Sequence, residues 1–131
     1  MQNQDQANLW ALSDLCTPWC LHVVATLRIA DHIESGITEV NQLAARSGCD
    51  RDSLHRVLRH LVDRGVFEEP EAGRFATNGP ARALLDDSAR LGLDLDGIGG
   101  RMALAWGSLL AAVRTGKSAY HGLRPGVLGR P

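Results

Sequence analysis

Six basic side chains fall within one short stretch: Arg51, His55, Arg56, Arg59, His60 and Arg64. At helical spacing they stand away from an apolar stripe of Leu54, Val57, Leu58, Leu61 and Val62. A helix built this way suits the groove of a duplex, where arginines reach phosphates and base edges. The same stretch carries Asp50, Asp52 and Asp63, and Glu68, Glu69 and Glu71 follow closely. Those carboxylates would meet phosphates at close range, so the charge pattern disfavours DNA reading. A solvated or partner-facing helix surface accounts for the same residues.

Other chemistries are weaker. Cys16, Cys20, His22 and His32 are metal-ligand types, but C-x3-C is not the C-x-x-C of zinc or redox sites. Thr17-Pro18 lies between the two thiols and is expected to break the chain there, leaving no assured common face. His32 fits a helix C-terminus, where a cation is favoured. Packed thiols and a capping histidine are the expectation, with no metal site. Gly97, Gly99 and Gly100 form G-x-G-G, yet the preceding LGLDLD alternates apolar and acidic and makes a poor central parallel strand. No G-x-S-x-G and no catalytic triad are present, so no catalytic residue is expected. Met102 and Trp106 share a helical face and together make an adaptable apolar wall for an aromatic ligand. Their residue types alone favour ordinary core.

The bulk composition fits one soluble domain. The chain has 131 residues, 44% hydrophobic and 22% charged, and a net charge of −1. That length can bury a real core. The balance lacks the basic excess usual in nucleic-acid binders. Three cysteines without a secretory leader point to free thiols and the cytoplasm. No apolar run reaches membrane-spanning length, so no membrane partner is expected.

The elements that must position these residues are mostly helical. Leu9, Leu12, Leu15 and Cys16 mark a first helix over residues 5–16. Thr17 as N-cap and Pro18 at the first position start a second, running to Glu34 and closed by Ser35-Gly36. Ile37 suits a short strand. Thr38 caps a third helix that ends at Ser47-Gly48. Asp50 caps the fourth, with Cys49 and Leu54 spaced as a hydrophobic staple, and Gly65 stops it. Val66–Glu68 and Arg74–Ala76 read as a hairpin turning through Pro70–Gly73. Ala81–Leu85 is a short helix and Asp86–Gly100 a mobile connection. Met102, Trp106, Leu109, Leu110 and Val113 then line one further helix, stopped at Thr115-Gly116. Residues 122–131 hold three glycines and two prolines and read as irregular. Helix, turn, helix and hairpin together make a winged helix-turn-helix.

Read whole, the chain resembles the N-terminal domain of class I S-adenosylmethionine-dependent small-molecule O-methyltransferases, above all the bacterial enzymes that tailor aromatic polyketides. Thr17-Pro18 followed by Ala25–Ile33 looks like the family's second helix. Leu43-Ala44 with Leu54–Val62 looks like its helix-turn-helix. Gly65–Glu69 and Gly73–Thr77 look like its wing, and Ala112–Lys117 with Tyr120 like the helix end that precedes the catalytic domain.

The resemblance implies a mainly α fold with a small β-hairpin wing. It divides the chain into dimerisation helices (1–36), a winged helix-turn-helix (37–85), a linker and helix (86–121) and a tail (122–131). It implies an intertwined homodimer whose helices close over the substrate. Met102, Trp106 and Trp19 are the implied contacts to an aromatic acceptor, with the Thr17–Trp19 segment reaching the partner's site. S-adenosylmethionine is implied for a complete enzyme. The Rossmann-like domain that would hold it is not in this sequence, so this chain is expected neither to bind the methyl donor nor to methylate alone. The competing readings are a winged-helix transcriptional regulator and a standalone interaction module.

Overall fold

The computed structural model describes residues 8–117. The expectations for residues 5–7, Tyr120 and 122–131 lie outside them. Helices α1 (Leu9–Leu12), α2 (Cys16–Thr26), α3 (Ile29–Glu34), α4 (Val40–Ser47) and α5 (Arg51–Asp63) are followed by strands β1 (Glu68–Glu71) and β2 (Arg74–Ala76). Helix α6 (Gly79–Arg82) leads through a 3-10 turn to α7 (Asp87–Leu93), α8 (Ile98–Ala105), a second 3-10 turn (Trp106–Ser108) and α9 (Leu109–Thr115). The mainly helical fold with an antiparallel two-stranded wing agrees with the sequence.

The helix-turn-helix is set by local chemistry. Asp50 accepts the Ser53 amide at 2.9 Å and caps α5 as expected. At its other end Gly65 takes φ 88°. The Gly65 amide then reaches Val62 O and the Val66 amide Leu61 O, a Schellman closure. Leu54, Leu58 and Leu61 are buried from α5; Val40, Leu43 and Ala44 meet them from α4; Val24, Ile29 and Ile33 complete the core from α2 and α3.

Several local expectations are corrected. The first helix is shorter, because Asp14 interrupts it. Leu15, not Thr17, is the N-cap residue of α2, and the Asp14 Oδ1 accepts the Cys16 and Thr17 amides at 2.9 and 3.2 Å. Thr17 stands in the first helical turn. The second helix breaks at Arg28, which adopts a left-handed φ of 60°; the turn lets Ile29, Ala30 and Ile33 face the core. The third helix takes Glu39 rather than Thr38 as its N-cap residue. The first wing strand starts at Glu68, because Phe67 also turns left-handed, at φ 69°, to bury its ring. Asn78 holds that turn: its Oδ1 accepts the Phe67 amide at 3.1 Å and its Nδ2 donates to Gly65 O at 3.0 Å. The stretch around Ile37 forms no named strand, although Glu39 bridges to Arg74 beside the wing.

Asp86–Gly100 is a structured corner, not irregular chain. Asp86 accepts the Ser88 and Ala89 amides and caps α7, which packs on α2 and on α8. A Cβ at Gly99 would overlap the Gly92 carbonyl, and one at Gly100 would lie 2.6 Å from Asp94 O. Glycine is needed there so that the two backbones can approach. The corner is tied to α2 and α3 by polar contacts. Leu95 N donates to Thr26 Oγ1 at 2.8 Å, His22 Nδ1 donates to Leu93 O at 2.9 Å, and Arg90 pairs with Asp31. The single stripe expected from Met102 to Val113 is split by the 3-10 turn at Gly107 and Ser108, both weak helix formers.

Candidate functional site

The basic face of α5 meets partners within the chain while its arginines stay largely exposed. Glu69 on the wing accepts the Gly73 amide at 2.8 Å, meets His55 Nε2 at 3.2 Å and lies 3.8 Å from Arg59 Nε. Arg51 donates to Asn41 and Asp52, His60 Nε2 meets Thr17 Oγ1 at 2.7 Å, and Arg64 lies 3.9 Å from Asp14. Five of the six basic side chains thus have partners within the chain, while Arg56 only approaches the Ser53 hydroxyl at 3.5 Å. Two of the six, His55 and Arg59, meet the wing carboxylate of Glu69, which would itself stand close to a phosphate backbone.

Burial pushes the Glu69 carboxyl up, but the Gly73 amide, His55 and Arg59 outweigh it and hold it below the usual range. Its contribution to stability is therefore fully present above the ordinary value of 4.5 and is lost as pH falls through the lower folded value. Glu69→Gln is expected to cost about 1–2 kcal/mol at neutral pH. In urea unfolding the gap to the wild type should close in that acid range. A gap that stayed constant with pH would show that the charge of Glu69 plays no part.

The apolar surface is divided sharply along the chain. Among the described residues the buried apolar ones run from Cys20 to Leu84, whereas the large exposed ones lie outside that span. At the N-terminal side they are Leu9, Trp10, Leu12, Leu15 and Trp19. At the C-terminal side they are Leu91, Ile98, Met102, Leu104, Trp106, Leu109, Leu110 and Val113. Single exposed apolar side chains are ordinary; so many of them on α1, the start of α2 and α7–α9 mark these elements as ones made to be covered.

The three residues singled out as acceptor contacts belong to this set. Met102 on α8 is 46% exposed, Trp106 in the following turn 70%, and Trp19 on α2 36%. This departs from the ordinary core that residue type alone favours for Met102 and Trp106. Trp19 rests on the His22 ring, with centroids 5.0 Å apart and planes at 53°. His22 is itself buried and fixed by Leu93 O, which defines Nδ1 as its protonated nitrogen. Sequence reasoning missed Leu91, Ile98 and Leu104, because the glycine-rich run hid the α7–α8 corner that carries them.

Two surface clefts lie elsewhere. One, of about 210 Å³, is lined by Arg28, Asp87, Arg90, Leu91, Asp94 and Gly97. Its guanidiniums are paired with Asp94, Asp31 and Asp87. The other, of about 580 Å³, is lined by Ile37, Gln42, Ala45 and Arg46. Neither includes Trp19, Met102 or Trp106.

Among the described residues no three His, Cys, Asp or Glu side chains converge as a metal site, and no helix is long and apolar enough to cross a membrane. The described residues do not fit S-adenosylmethionine either. The sheet is a two-stranded antiparallel hairpin, and the space at Gly99 and Gly100 is filled by the backbone of Gly92, Asp94 and Leu95. Cys16 and Cys20 overturn an expectation: they share α2, with sulfurs 3.9 Å apart, because Pro18 sits inside the first turn without breaking the helix.

A family model described as the O-methyltransferase dimerisation domain matches residues 9–87. The 2,7-dihydroxy-5-methyl-1-naphthoate 7-O-methyltransferase of Streptomyces carzinostaticus is 41% identical over 86% of this chain and 35% of its own length. The aclacinomycin 10-hydroxylase RdmB of Streptomyces purpurascens is 40% identical over 85% of this chain and 31% of its own. The O-methyltransferase NcsB1 from neocarzinostatin biosynthesis has been solved with S-adenosylmethionine and 2-hydroxy-5-methyl naphthoic acid. It superimposes with a TM-score of 0.83 at 38% identity, covering 93% of this chain and 38% of that one. The chain thus spans about a third of the length of these relatives.

Proposed function

This chain belongs to the O-methyltransferase dimerisation-domain family, and from that membership we propose that it pairs with a second copy and encloses an aromatic acceptor beside a methyl-transfer domain. The observation that carries this is the uncovered apolar surface. Among the described residues thirteen large apolar side chains stand exposed on the elements that flank the winged helix, and none of them lies within it. A monomer would leave them in water. A two-fold pair covers the same patch on both subunits.

In this reading the winged helix is a platform. Its arginines and histidines tie α5 to the wing and to the start of α2, which fixes the angle at which the flanking helices leave. Trp19, Met102 and Trp106 supply the apolar wall of the acceptor pocket, and S-adenosylmethionine, held by the methyl-transfer domain, would supply the methyl group. A polycyclic aromatic suits such a wall, since flat rings gain both buried area and stacking. That the NcsB1 structure holds a naphthoic acid supports an acceptor of this class. That a relative is named a hydroxylase fits a domain whose role is pairing and enclosure rather than reaction.

The test is Trp106→Ala in a polypeptide that joins this chain to its methyl-transfer domain. Loss of one aromatic wall is expected to raise the acceptor KM by about tenfold, corresponding to about 1.4 kcal/mol, and to leave the S-adenosylmethionine KM unchanged. An unchanged acceptor KM would remove Trp106 from the pocket. Tight, salt-sensitive binding of the chain to duplex DNA would overturn the reading as a whole.

A further inference from the structure

We infer that His22 is a positioning residue for the acceptor wall, a single imidazole that holds Trp19 and the α7–α8 corner in fixed register. The inference rests on the reading of Trp19, Met102 and Trp106 as that wall. His22 lies inside α2 and is buried. Its Nδ1–H donates to Leu93 O at 2.9 Å. Leu93 is the last residue of α7, so its carbonyl is one that the helix leaves without a partner of its own. The second neighbour of the ring is Trp19, three residues earlier on the same helix, with ring centroids 5.0 Å apart. Among the described residues Trp19 is the least exposed of the large apolar side chains outside the core.

Tying the corner to α2 does not by itself call for a ring. One turn later Thr26 takes the Leu95 amide on a hydroxyl, and Arg28 reaches Asp94 at 3.4 Å. Leu93, Asp94 and Leu95 are thus held one after another, and only the first hold comes on an aromatic side chain. That ring has Trp19 on its other side. Trp19 cannot lean toward α7 without displacing the imidazole. The imidazole cannot turn without leaving the Leu93 carbonyl unpaired, which is costly in a buried setting. Beyond Leu93 the constraint passes to α8 through backbone. Gly99 and Gly100 have no room for a Cβ against Gly92, Asp94 and Leu95, so α8 follows the end of α7. Helix α8 carries Met102 and leads into Trp106. The two ends of the wall, far apart in the chain, therefore meet through His22. The role needs no contact between His22 and the acceptor, so cover by a second copy leaves it intact.

The test is a pair of double-mutant cycles in the polypeptide that joins this chain to its methyl-transfer domain, with a hydroxylated naphthoic acid as acceptor. His22→Asn keeps a nitrogen donor for Leu93 O and removes the ring. It is expected to raise the acceptor KM by about two- to tenfold, the worth of one aromatic contact, and to add nothing in a Trp19→Ala background. His22→Phe keeps the ring and removes the donor; its effect on the acceptor KM should shrink in a Met102→Ala background. The S-adenosylmethionine KM should stay at the wild-type value throughout. A merely structural role would instead let the effects add, in step with stability lost in urea unfolding. If His22→Asn fails to fold, the His22→Phe cycle still decides. Additive effects, or a wild-type acceptor KM in both His22 variants while Trp106→Ala raises it, would overturn the inference alone. An acceptor KM unchanged in Trp106→Ala as well would remove the wall itself, and this role with it.

Discussion

A glutamate in place of Leu110 is expected to separate the paired chains while leaving each chain folded. Leu110 lies on α9, 60% exposed and outside the buried cluster that runs from Cys20 to Leu84. In a monomer the substitution exchanges one solvent-facing side chain for another, so helix content and unfolding midpoint should barely move. In a dimer that covers α9, the carboxylate loses its water without gaining a partner. An uncompensated buried charge costs about 3–5 kcal/mol. That corresponds to a dissociation constant raised by about a hundredfold to several thousandfold. Sedimentation equilibrium across a range of concentrations measures this directly. Dimers of wild-type affinity in Leu110→Glu would place α9 outside the interface.

The α7–α8 corner gives the second large effect, and here two neighbouring glycines should respond with opposite signs. Gly99→Ala puts a methyl group into the Gly92 carbonyl, a backbone atom that cannot swing aside. Overpacking costs typically 1–3 kcal/mol, and a rigid neighbour puts this case at about 3 kcal/mol. Gly92→Ala meets nothing within 4 Å and lies inside α7. It should stabilise by up to about 1 kcal/mol through helix propensity. Urea unfolding of the two variants separates the effects. Equal behaviour would mean that α7 and α8 do not approach through their glycines. Because α8 carries Met102 and leads directly into Trp106, Gly99→Ala should also disturb the proposed acceptor wall, whereas Gly92→Ala should not.

These cases show how legible the chain was. The stripe of Leu54, Val57, Leu58, Leu61 and Val62, the Asp50 cap and the Gly65 stop are local patterns, and α5 follows them closely. The second wing strand was placed correctly, but the first begins two residues later than expected and runs on through Pro70 and Glu71, which read as turn, because Phe67 turns left-handed to bury its ring. The glycine-rich stretch misled in the same way. Several glycines in sequence suggest a loose linker, and only the facing backbone reveals a close helical crossing. Trp19, Met102 and Trp106 could be picked out as large apolar residues, but nothing in their spacing distinguished a core position from an exposed one.

By itself, the sequence determined the helical periodicities, the caps of α5, the hairpin and the membership of a dimerisation family. Each of these is written in residues close together along the chain, or in their combined pattern. Tertiary structure alone decided four further things. It broke the second helix at Arg28, brought His55 and Arg59 of α5 to Glu69, aligned Cys16 with Cys20, and left the flanking apolar residues outside the core. The physical reason lies in the range of the forces. Helix propensity and capping act within about one turn. Burial and the pairing of charges depend on which distant segments meet, as where Thr26 holds Leu95 and His22 holds Leu93 across some seventy residues.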